Sequence, residues 1–95
     1  MPFTFEVHAA HALGERGLLA LAGEVSHGTV QAGMLASLEA EDGTQPFRER
    51  VHGVEYLDIP GLEGLPALTF HYRDPAKLQR WMALGWKGRT LSLTP

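Results

Sequence analysis

The sequence predicts an all-β domain: a small closed barrel of six or seven strands, Greek-key-like, with one short helix before the last strand. Three observations predict it. Apolar residues alternate with polar ones in several short runs, the period of a strand with one buried face. Most of the eleven glycines fall between those runs, as turn residues do. At 95 residues the chain has room for about one core, and it contains no cysteine to staple anything smaller.

The elements follow in order. Phe3, Phe5 and Val7 alternate with Thr4, Glu6 and His8 in a first strand, and His11 to Arg16 reads as a loop. Leu19, Leu21, Gly23 and Val25 form one face of a second strand, with Ala20, Ala22 and Glu24 on the other. Gly28 and Gly33 bracket a tight connection, and Gly23, Gly28 and Gly33 are read as structural glycines. Met34, Ala36 and Leu38 face one way in a third strand; Glu41-Asp42-Gly43-Thr44 is a turn, because Asp-Gly readily takes the positive φ that hairpins need. Phe47 and Val51 alternate with Arg48, Arg50 and His52 in a fourth strand, and the out-of-phase Val54 places a bulge at Gly53. Ile59 to Pro66 is a loop, and Leu68, Phe70 and Tyr72 mark a fifth strand that runs to Arg73. Asp74 can cap a helix, with Pro75 at its first position, Leu78, Trp81 and Met82 on one face and Gly85 ending it. Leu91 and Leu93 lie in the closing strand. The shared phase predicts a core of Val7, Leu21, Val25, Leu38, Val51, Leu68, Phe70 and Leu91.

No repeat, low-complexity tract or linker divides the chain, so residues 1–95 are read as one domain. The N-terminal segment has neither a basic start nor an apolar run and does not read as a signal peptide. The longest nearly apolar stretch, Leu18 to Ala22, is far too short for a membrane helix. A secreted domain this small would usually carry disulfides, so the missing cysteines favour the cytoplasm. The net charge of −3 is unevenly spread. Residues 1–70 hold three arginines against ten acids, whereas residues 71–95 hold Arg73, Lys77, Arg80, Lys87 and Arg89 against Asp74 alone. Such a division suits a docking face for an anionic partner as well as plain solubility.

The stretch from Phe3 to Gly33 resembles the second domain of elongation factor Tu and its relatives, the β-barrel of the translation GTPases. The residues that carry the resemblance are Arg16-Gly17, the apolar strand after it, and Gly23-Glu24-Val25-Ser26-His27-Gly28-Thr29-Val30-Gln31-Ala32-Gly33. Val51-His52-Gly53-Val54-Glu55 is similar to the family's next signature, a strand with an embedded Gly-Val-Glu. Leu68 to Leu91 is similar to its closing pattern of strand, short helical turn, glycine and strand. The resemblance implies a small closed barrel. It also implies a role for Glu55, since the matching glutamate lies at the pocket for the terminal adenosine of aminoacyl-tRNA. A basic residue follows that glutamate in the factors; Tyr56-Leu57-Asp58 stand there here. No phosphate-binding loop is present, so GTP hydrolysis is not implied.

The candidate sites are few. His8 and His11 are three apart, on opposite faces of a strand, and cannot share a metal as a strand pair. His52 and His71 can meet only if their strands pair. No metal site and no cofactor are expected. Ser26-His27 point apart and do not make a catalytic pair. Trp81, Trp86 and Lys87 with Arg80 and Arg89 mix aromatic and basic residues, which suits a base-stacking platform or, more simply, packing of the helix and a plug at the barrel end. The reading is therefore a non-enzymatic binding module with a protein partner. That partner is expected to dock over His71, Arg73, Trp86 and Arg89. The alternative is an RNA- or tRNA-binding accessory domain using residues 71–95 and Glu55.

Overall fold

The computed structural model describes residues 3–95. Met1 and Pro2, the start of the N-terminal segment read above, lie outside them. Seven strands form one antiparallel sheet: β1 (Phe3–Leu13), β2 (Leu18–His27), β3 (Leu35–Leu38), β4 (Phe47–Arg50), β5 (Gly53–Tyr56), β6 (Pro66–His71) and β7 (Thr90–Thr94). Their order is β4-β3-β7-β1-β2-β6-β5, and the sheet curls into a half-barrel. The helix α1 (Pro75–Met82) lies before the last strand, as its sequence signals predict. Asp74 caps it, its Oδ1 accepting from the Ala76 N–H at 2.9 Å.

The first hairpin is longer than the alternation suggests. β1 continues through His11 to Leu13, where a loop was expected, and pairs with β2 down to Leu13 against Leu18. Small alanines in the second half of β1 give no alternation to read. A register shift between Val7 and Ala9 also resets the phase. A single 3-10 turn, Gly14–Arg16, closes the hairpin, and Gly17 follows it at φ 65°. At Gly23 the two strands cross so closely that a β-carbon would run into the carbonyl of Glu6.

The expected fourth strand is two. β4 stops at Arg50, Val51 and His52 turn the chain, and β5 begins at Gly53, where the bulge was expected. Across that turn the chain changes partners. The Val51 N–H donates to the Met34 carbonyl at 2.8 Å, beside β3, and the His52 N–H donates to the Thr69 carbonyl of β6 at 2.7 Å. β4 and β5, the two outer strands of the sheet, are thus consecutive in the chain.

Seven of the eight expected core residues are buried: Val7, Leu21, Leu38, Val51, Leu68, Phe70 and Leu91. Val25 is not; it is 38% exposed. β2 pairs with β6 only over Leu18–Ala22, so beyond Gly23 it outruns its neighbour and Val25 has too little packed over it. Met82, expected on the packed face of α1, is 41% exposed in the last turn. Phe47 is the hub of the aromatic core, edge-on to Phe70 at 4.9 Å, Trp81 at 5.1 Å and Trp86 at 4.9 Å. The apolar run Leu18–Ala22 is buried on both faces. Leu19 and Leu21 enter the main core, while Ala20 and Ala22 join Ala67 in a second cluster beneath Leu13, Leu57 and Leu62. No helix among the described residues is long and apolar enough to cross a membrane.

Candidate binding surfaces

One polar face brings together two motifs that lie 39 residues apart in sequence. Arg16 ends the 3-10 turn between β1 and β2, and Glu55 lies on β5, opposite Ala67 of β6. The Arg16 Nη1 and Nη2 donate to Glu55 Oε1 and Oε2 at 2.9 and 2.6 Å, a two-pronged pair that fixes both side chains. The turn is tied to the far end of β6, for the Tyr72 N–H donates to the Gly17 carbonyl at 3.0 Å. Hydrogen bonds from Arg16 hold the Glu55 carboxyl below the usual carboxylate range; partial burial opposes this, and the charges of Arg16 and His52 add to it. The Arg16 guanidinium is correspondingly raised, by its hydrogen bonds to Glu55 and then by the carboxylate charge.

His52 and His71 do meet. The hydrogen bond of His52 to Thr69 sets the turn beside β6, and the imidazole centroids lie 6.1 Å apart. Both side chains are exposed. Arg16, His52, Glu55 and His71 therefore occupy one region of the outer surface, around β5 and the start of β2. Arg16 was legible as half of a glycine motif but not as the partner of Glu55, since a pairing 39 residues apart has no local signal.

The four residues expected to form a docking face are not gathered into one exposed patch. Trp86 is only 3% exposed, wedged against Phe47, with its indole N–H donating to the Trp81 carbonyl at 2.7 Å. It plugs the core, the second of the two roles open to it. Arg89 donates to the Leu84 carbonyl at 3.3 Å and lines a recess with Glu39, Glu41 and Asp42, so its charge faces acids and adds to no basic face. His71 and Arg73 are exposed at the end of β6, but β1 and β2 separate β6 from β7, just beyond Arg89.

The basic residues of the C-terminal quarter gather elsewhere. A recess of about 460 Å³ lies between α1 and β4, lined by Arg48, Glu49, Lys77, Arg80, Trp81 and Leu84, with Gln45 and Pro46 at one end. Lys77 pairs with Glu49 at 3.2 Å and stands 5.2 Å over the Trp81 ring. Arg48 and Arg80 are exposed and make no ion pair among the described residues.

Among the described residues no three His, Asp or Glu side chains lie together as metal ligands would. The Ser26 hydroxyl bonds to that of Thr4 at 2.7 Å, and so is engaged on the neighbouring strand. No protein-family model matches the chain, and neither the curated proteins nor the solved structures give a significant match.

Proposed function

We propose that the chain is a non-enzymatic binding module built as a closed barrel of the translation-factor type, and that its partner is a protein. The observation that carries this reading is the Arg16–Glu55 pair. It joins the Arg-Gly turn to the Gly-Val-Glu strand, two of the motifs that carry the resemblance. Closure of the barrel is part of the proposal, and the partner change at Val51 and His52 supports it. One continuous segment pairs first beside β3 and then with β6. Charge favours a protein over RNA. The chain carries a net charge of −3, and the arginine nearest Glu55 is already neutralised by it. The absence of cysteine suits a reducing compartment, and we place the protein in the cytoplasm on that ground.

The test is a titration followed by amide NMR with a short single-stranded RNA ending in CCA, run at about 50 and about 200 mM salt. The protein reading expects no saturable shifts at Arg16, His52, Glu55 or His71. Saturable shifts there that collapse at the higher salt would replace it with the RNA reading. A protein partner, once purified, is expected to bind an Arg16→Ala, His71→Ala variant at least about tenfold more weakly, a loss of about 1.4 kcal/mol.

A further inference from the structure

β4 is an outer strand, and its ladder is made with β3 alone. The Val51 N–H points to β3, donating to Met34, so strand alternation turns the main-chain groups of Glu49 and Phe47 the same way. Those of Arg48 and Arg50 then face the open edge. Beside it, residues of β4 and α1 together line the recess of about 460 Å³. The recess has an apolar floor of Trp81 and Leu84. Its rim carries Arg48, Lys77 and Arg80 against one carboxylate, Glu49, which is bound to Lys77.

We propose that this recess receives an extended acidic segment of a partner protein, added as a further strand to the edge of β4. Three features select that occupant. The open main-chain groups of Arg48 and Arg50 offer the pairing that an added strand uses. The surplus of positive charge on the rim calls for carboxylates, which arginine binds through paired hydrogen bonds. An alternating side-chain pattern suits the two surroundings: apolar residues toward Trp81 and Leu84, acidic residues toward the arginines. Nucleic acid fits less well. The chain as a whole is acidic, which opposes a polyanion. The site is separate from the Arg16–Glu55 face and shares with the reading above only that the partner is a protein.

The probe is a fluorescein-labelled octapeptide of alternating glutamate and leucine, measured by anisotropy and by amide NMR on the full chain. Saturable binding is expected, with shifts centred on Arg48, Arg50, Lys77 and the Trp81 ring, and none at Arg16 or Glu55. An Arg48→Glu, Arg80→Glu variant, shown by circular dichroism to be folded, should bind at least about tenfold more weakly. The same peptide with alternate backbone amides N-methylated should lose binding to the wild type, which a purely ionic contact would not do. The proposal is overturned if the peptide does not bind, if the double variant binds it equally, or if a glutamine–leucine peptide binds as well. It is also overturned if an oligouridylate competes better than the peptide. Concentration-dependent self-association that the double variant abolishes and the peptide leaves unchanged would assign the recess to a second copy instead.

Discussion

The Phe47 and Trp86 rings meet edge to face, centroids 4.9 Å apart and planes at 90°. Phe47 opens β4 and Trp86 follows α1, so this contact fastens the helical segment to the sheet. It also removes the tryptophan from any docking face.

Phe47→Ala should therefore cost more than a lone core truncation of its size suggests, since three aromatic neighbours lose their partner at once. About 5 kcal/mol, the top of the usual range for such a truncation, is expected, against a total stability of about 5–15 kcal/mol for a domain of this kind. Urea unfolding followed by tryptophan emission checks it, because Trp81 and Trp86 are both buried in the folded chain.

Gly23→Ala and Gly28→Ala should each destabilise by more than about 1 kcal/mol. At Gly23 the added methyl meets the Glu6 carbonyl; at Gly28, φ is 74° and the methyl meets the Phe3 ring. Gly33→Ala pays only for its φ of 92°, since nothing lies near the added carbon, and should be the mildest of the three. The comparison is made by denaturant midpoints at equal m-value.

Glu55 gives a pH signature. Its folded-state pKa is lowered, so its contribution to stability is present above the ordinary carboxylate range and is lost as pH falls through the lowered value. Glu55→Gln should flatten the acid limb of the stability curve below about pH 4 and leave stability near neutrality only slightly reduced. The effect is small beside that of Phe47→Ala, because both ends of the pair touch water. Thermal unfolding measured across acidic pH in both proteins tests the sign.

Val25→Thr should change stability by no more than about 0.5 kcal/mol, whereas Val7→Ala should cost at least about 1 kcal/mol. The two valines share a strand pattern in the sequence, but one is exposed and the other buried. Paired urea curves separate them.

These two residues also show how far the sequence can be read. Period-two phase identifies which face of a strand turns inward, and it identified Val7, Leu21, Leu38 and Phe70 correctly. It carries nothing about where a neighbouring strand ends, and that is what leaves Val25 uncovered. The helix was legible because its cap and its proline are local signals, and Asp74 does cap it. The surfaces were much less legible. Trp86, Arg89 and His71 are close enough in the chain to suggest one patch, but the sheet order separates β6 from β7 and buries Trp86. Arg16 meets Glu55, and Arg48 meets the helix groove, through pairings that no spacing along the chain reveals.

The barrel reading turns on the segment that leaves β4 and enters β5, so hydrogen exchange at Val51 and His52 tests it most directly. The account predicts that the Val51 N–H, bonded to Met34, and the His52 N–H, bonded to Thr69, exchange as slowly as Leu21 in the core of β2. Exchange at both positions as fast as in the exposed turn of residues 41–46 would contradict it and leave the sheet open between β3 and β6.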